Sequence, residues 1–384
     1  MTVGRAPAWR DRKRRLWVLG LLAPACALLP SQLVARTGIE AFWWIGPIIV
    51  FVFVPILDVL VGEDGDNAPD EEYRRMSEDI YYRWCTYLFL PILLSGLLVA
   101  GYLWASYELS VLDKIGLAVT VGLVSGIGIN AAHELGHRAE QHERWLAKIA
   151  LAQSCYGHFY IEHNRGHHVN VATPADPASA RFGESLWQFL PRSVIGGFRS
   201  AWKLERERLA RTGAGTWTFR NNILQAWAMS AVLFGTMLAV FGWQIAPYLA
   251  IQAVIGFSML ETVNYVEHYG LLRERLPDGR YEKCSPRHSW NSDRLVTNVF
   301  LFHLQRHSDH HANPGRRYQT LRSCEEAPQL PSGYSTMMVY AMIPPLWRRV
   351  MDHRVLAHYN GDRSRANVAG RRRDRLPDDL AGAA

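Results

Sequence analysis

Long apolar runs alternate with polar stretches along the chain, and that alternation decides its class. A helix crossing about 30 Å of hydrocarbon at about 1.5 Å per residue needs about 20 mostly apolar residues. Six runs meet the requirement, at about 16–35, 39–61, 84–105, 115–132, 223–243 and 246–266. Buried helices of soluble proteins rarely run so long. The pattern predicts an all-α membrane protein of six transmembrane helices. Between the second and third runs, GEDGDNAPDEEYRR (62–75) is a polar connector with Gly and Pro as breakers. The two long polar segments, 138–222 and 267–350, predict a mostly helical cap with a loop at 171–183, a turn at LPDGRY (276–281) and a histidine-rich helix near 299–311. Residues 351–384 hold little apolar surface and are expected to form a disordered tail. The small residues of GLVSGIG (122–128), in the fourth run, suit close helix packing better than the wall of a tunnel.

Charge orients the six spans. Residues 1–15 carry Arg5, Arg10, Arg12, Lys13, Arg14 and Arg15 against Asp11 alone, which predicts a cytoplasmic N-terminus. Six crossings return the C-terminus to the same side, and both polar segments then form a cytoplasmic cap. A signal peptide would share the basic start, but the first apolar run is too long for one and no small-residue cleavage site follows. The composition of the 384 residues agrees with a membrane protein, at 49% hydrophobic and 20% charged. Cys26, Cys85, Cys155, Cys284 and Cys324 form no Cys-x-x-Cys pair, which excludes a disulfide framework and a cysteine-ligated iron or zinc centre.

The 15 histidines are unevenly placed. His133 and His137 stand in HELGH, and His163, His167 and His168 in EHNRGHH. His303, His307, His310 and His311 stand in HLQRHSDHH, and His268 in NYVEHYGL at the end of the sixth run. Residues three or four apart share a helix face, so each cluster can aim several imidazoles at one point. The predicted topology brings all four clusters to one membrane face. Nine candidate ligands exceed the four of a zinc site and the six of an octahedral site, and suit two metals with four or five imidazoles each. Imidazole serves iron, zinc, copper and nickel, so ligand type does not name the ion. Glu134, Glu162, Glu267 and Asp309 each adjoin a histidine. Neighbouring helix positions diverge by about 100°, so these carboxylates are either acceptors for imidazole N–H groups or solvated cap residues. His303 reads equally as an outer donor and as a packed residue, and stays outside the ligand set. His142, His158, His288, His353 and His358 lack paired spacing, although His158 lies near the second cluster.

Taken alone, HELGH is a zinc-protease signature with Glu134 as general base, and PILD (55–58) resembles a third-ligand segment. That reading leaves seven further histidines without work, and Asp58 precedes the motif where intramembrane metalloproteases place their aspartate downstream. A metal transporter would carry ionisable groups within its spans, and these spans have almost none.

The three boxes resemble those of membrane di-iron enzymes, the group of fatty-acid desaturases and hydrocarbon hydroxylases. NYVEHYGLLR (264–273) is similar to the segment marking integral-membrane alkane 1-monooxygenases and their xylene-oxidising relatives. GHFYIEHNRGHHVNVATPADPASAR and FHLQRHSDHHANPGRRYQTLR extend the resemblance beyond the histidines, over about residues 16–350 as one domain. It implies two non-haem iron ions held by His133, His137, His163, His167, His168, His268, His307, His310 and His311, with O2 as co-substrate. The implied reaction converts a medium-chain n-alkane, O2, two electrons and two protons to a 1-alkanol and water. The chain has no flavin or NAD motif, so electrons must come from outside; the resemblance implies rubredoxin and its NAD(P)H-dependent reductase. It also implies substrate drawn from the bilayer, a cytoplasmic (inner) membrane location and no nucleic-acid partner. A desaturase or a hydroxylase of fatty acyl or aromatic methyl groups could share the histidine spacing.

Overall fold

The computed structural model describes residues 9–369. Among them the regular elements are helical, with β pairing limited to isolated bridges. Six helices are long and apolar enough to cross a membrane: Trp17–Thr37, Glu40–Val61, Ile80–Ser106, Val111–Gly136, Asn222–Phe241 and Trp243–His268. They answer the six predicted runs, and the chain is a multi-pass membrane protein. The fourth and sixth continue past their apolar stretches and so carry His133 and His268. Their polar ends are buried, and an unbroken helix pairs backbone groups that water cannot reach. The first two spans are less regular. Pro24, Pro30, Pro47 and Pro55 remove backbone donors, and the chain passes through 3-10 turns and a π turn at Ile49–Phe53.

The fourth and sixth spans form the centre. A Cβ on Gly122 would lie 2.6 Å from the Ile255 Cβ, and one on Gly126 would lie 2.8 Å from the Met259 Cβ, so only glycine allows this approach. Ser125 donates to Gln252 across the same seam at 2.9 Å. Residues 122–128 therefore serve packing, as their small size suggested, while Val124, Gly126 and Ile127 also border an apolar cavity.

The cap covers the end of the bundle where the fourth and sixth spans finish. Lys13 meets Asp64 there at 2.5 Å, joining the start of the first span to the connector after the second. Arg306, only 1% exposed, donates to the carbonyls of Leu321 and Asp64 at 2.8 Å each and to that of Asp66 at 3.2 Å. Its buried charge is tolerable because both terminal nitrogens are hydrogen-bonded and the Asp293 carboxylate lies 3.6 Å from its Nε.

Two expectations fail. The helix predicted over 299–311 is broken: Leu295–Phe300 stops, Phe302 and His303 take left-handed φ values of 49° and 54°, and His307–Ala312 starts afresh. The disordered tail does not begin at 351. Pro344–His358 is one helix with Trp347, Met351 and Val355 buried at helical spacing, a stripe that the polar average of the tail concealed. The chain stays folded beyond it, with the Asn367 N–H donating to Gly270 at 3.1 Å. Residues 370–384 of the predicted tail, and Arg5 of the basic start, lie outside the described residues.

Candidate metal centre

All nine candidate ligands converge at the capped end and sort into two groups. His133, His137, His163, His168 and His310 form the first; His167, His268, His307 and His311 form the second. Helical geometry does the sorting. His307 and His311 are four apart on one face of His307–Ala312 and enter the second group, whereas His310 points aside into the first. The middle box relies on a π turn at Glu162–His167. Widening the turn brings His163 and His168, five apart, to one face and sends His167 to the other group. The groups touch, with the rings of His168 and His311 4.4 Å apart.

Within the first group, Nε2 atoms lie 2.9 Å apart for His133 and His310, 3.0 Å for His137 and His163, 3.0 Å for His163 and His168, and 3.1 Å for His168 and His310. In the second, His268 and His307 stand at 3.2 Å and His307 and His311 at 2.9 Å. Metal–imidazole bonds of about 2.1 Å put neighbouring nitrogens about 3.0 Å apart at right angles and about 3.4 Å apart at tetrahedral angles. The spacing is that of nitrogens gathered around one ion in each group. Hydrogen bonding alone cannot satisfy these rings, because each neutral imidazole has one proton and several inward neighbours.

Protonation favours metal binding. Burial first, and then repulsion from neighbouring rings and cations, holds His137, His163, His168, His307, His310 and His311 well below the usual imidazole range. His167 differs. Burial would lower it, but the Asp176 carboxylate 2.9 Å from its Nδ1 outweighs burial and raises it. Asp176 also accepts from Ser179 at 2.6 Å and from the Ala178 N–H at 3.0 Å, so its position is fixed. It can accept only from an Nδ1–H, which leaves the buried, unpartnered Nε2 of His167 facing the second group.

The four predicted carboxylates divide. Glu267 lies 3.2 Å from His307 Nε2 and belongs with the histidines. Glu134 pairs with Arg138 at 2.7 Å and accepts from the Tyr318 N–H at 3.3 Å. Bound this way beside a five-imidazole group, it is no free general base, which removes the protease reading. Asp309 accepts from the Arg316 guanidinium at 2.6 Å and from the backbone N–H of Arg322 at 3.0 Å, and so braces the third box without meeting an imidazole. Glu162 has two buried oxygens without partners and, by burial, is pushed up to about 7. It shares a small chamber with His158, His163, His167 and Glu261. His303 is directed away: its Nδ1 meets the Tyr318 carbonyl at 3.0 Å and its ring packs on Trp17 at 4.6 Å. Asp58 is buried against Thr297, which donates through N–H at 2.9 Å and Oγ1 at 2.5 Å.

Two residues escaped the sequence reading. Asp176 sits in a loop whose return toward His167 no periodicity reveals. Glu261 is an ionisable group inside the sixth span and could have been found by that criterion. It accepts from Tyr156 at 2.7 Å and also from Ser193.

Beside the centre lies a cavity of about 400 Å³ among the first, second, fourth and sixth spans, with no charged residue in its lining. Asn130 and Val263 line it and stand within about one and a half helical turns of His133 and His268. A hydrocarbon fits such a wall, and an ion does not.

Residues 114–341 match the fatty acid desaturase family. Alkane 1-monooxygenase 1 of Alcanivorax borkumensis is 44% identical, over 93% of this chain and 89% of its own length. Alkane 1-monooxygenase of Pseudomonas putida is 44% identical over 94% of this chain and 90% of its own. Alkane 1-monooxygenase 2 of Pseudomonas aeruginosa is 48% identical over 94% of this chain and 97% of its own.

Proposed function

The chain belongs to the alkane 1-monooxygenase family, and from that premise we propose that it hydroxylates the terminal methyl of medium-chain n-alkanes to 1-alkanols. The balanced reaction consumes alkane, O2, two electrons and two protons and releases 1-alkanol and water. The observation that carries the reading is the apposition of nine converging imidazoles with an uncharged apolar cavity among the spans. His133, His137, His163, His168 and His310 would hold one iron, and His167, His268, His307 and His311 the other.

Iron bound there supplies the O2 chemistry that an unactivated C–H bond demands, since such a bond offers no handle for acids or bases. The chain's own task is placement. Asp176 fixes the ring of His167, and Glu267 contacts His307 from the sixth span. The cavity wall excludes water and aligns an alkane drawn from the bilayer so that one end meets the centre. Electrons come from rubredoxin, reduced by its NAD(P)H-dependent reductase. The basic residues Arg10, Arg12, Lys13, Arg14 and Arg15 favour the cytoplasmic side of the inner membrane for the cap.

Purified, iron-loaded protein should convert n-octane to 1-octanol with O2, rubredoxin, reductase and NADH. An alkene product, or peptide cleavage by zinc-loaded protein, would overturn the reading.

A further inference from the structure

Electrons have to cross the cap, and its surface is not uniform. A recess of about 420 Å³ is lined by Arg273, Arg275, Arg287 and Arg365 against two carboxylates, Glu274 and Glu282. Arg365 stands 3.8 Å from Glu274, whereas Arg273, Arg275 and Arg287 form no ion pair among the described residues. Arg275 and Arg287 are exposed at the surface. Arg273 is 8% exposed; it donates to the Val169 carbonyl at 2.7 Å, next to His168, and leaves its Nε unpartnered. Another recess near the third box contains Arg316 and Arg322, but these are paired with Asp309 and Asp70.

The recess is also thin-walled. His288 lines it, and the next residue, Ser289, places Oγ 3.5 Å from Nδ1 of His268, a member of the second histidine group. On the same wall the Leu271 N–H donates to the His268 carbonyl at 3.3 Å. One layer of residues thus separates a surface rich in unpaired guanidinium from a candidate ligand. Electron transfer weakens steeply with distance, so a carrier seated here is better placed than one over the long helices of the bundle.

We propose that the recess bounded by Arg273, Arg275, Arg287 and Arg365 is the docking face for a small acidic electron-carrier protein, which delivers electrons past Ser289 and His268. The inference rests on the rubredoxin reading above and names where that donor binds. Each encounter oxidises the carrier's metal by one electron and reduces the centre by one, so two encounters supply one hydroxylation. Complementary charge raises the encounter rate and makes it sensitive to salt.

The test compares wild-type enzyme, the double variant Arg275→Glu/Arg287→Glu and Arg322→Glu, all iron-loaded in lipid nanodiscs. Octanol formation is followed against rubredoxin concentration at several salt concentrations, with iron content as the check on folding. The double variant should raise KM for rubredoxin about tenfold or more, with little of the change in kcat, and flatten the salt dependence. Arg322→Glu should leave KM near the wild-type value. An unchanged KM in the iron-replete double variant, or a larger rise in Arg322→Glu, would overturn the docking face alone. Wild-type enzyme that turns over with dithionite but never with rubredoxin would overturn the donor reading itself, and the docking face with it.

Discussion

The fourth and fifth spans are equally apolar, yet 89% of the fourth's apolar window is buried inside the protein and only 22% of the fifth's. The fourth carries Gly116, Gly122, Gly126 and Gly128 with Thr120, Ser125 and Asn130, and each of these meets another helix or the cap. The fifth turns Val232 and Val240 outward, 68% and 67% exposed. It is held chiefly at its start. Lys148 donates to Asn222 at 2.9 Å and to Gln225 at 2.6 Å, and buried Glu205 accepts from the Asn222 N–H at 2.7 Å. Apolar character places a helix in the membrane. Small and polar residues place it at the centre, because in lipid close packing and hydrogen bonds drive association. His133 and His268 end the two central helices, and the cap brings the other histidines to them.

The largest expected effect comes at the histidine groups that cap that central region. His310→Ala should lower hydroxylation by at least about 100-fold and reduce bound iron, read by product analysis and metal assay. Next is the seam itself. Gly122→Val forces a side chain onto Ile255 and should cost about 3 kcal/mol, read as loss of thermal stability in detergent. Asp176→Asn should cost about 10-fold to 100-fold in activity or metal affinity while the fold persists.

Smaller effects belong to the fifth span. Burial would raise Glu205, but hydrogen bonds from Arg208 and Asn222 outweigh it and hold the carboxyl below its usual range. Its contribution is therefore complete above that range and is lost as pH falls through the lowered folded value. Glu205→Gln should destabilise by about 1–2 kcal/mol at neutral pH, and the difference should shrink in acid as the wild-type group protonates. Val232→Leu should change stability by less than about 0.5 kcal/mol. A larger loss there would mean that the fifth span is packed against something other than lipid.

Much of this was legible in the chain. Spans follow from run length, and His133 with His137 and His307 with His311 follow from spacing of four, because both depend on local geometry. The division of EHNRGHH between two groups was not legible, since it depends on a π turn that tertiary packing imposes. Nor was the fate of the carboxylates. Glu134 and Asp309 look alike beside their histidines, and only the folded cap shows Arg138 and Arg316 claiming them. His303 shares the spacing of its neighbours, but a left-handed turn points it at Trp17. The buried stripe Trp347, Met351 and Val355 was present in the sequence and was hidden by averaging over a polar tail.

The central claim is that two unequal imidazole groups, five and four, hold two iron ions. Metal analysis with Mössbauer spectroscopy of protein loaded with iron-57 tests it most directly. The account predicts two irons per chain in two distinguishable environments, with His310→Ala altering chiefly one and His311→Ala chiefly the other. One metal per chain, or both variants acting on a single environment, would contradict it.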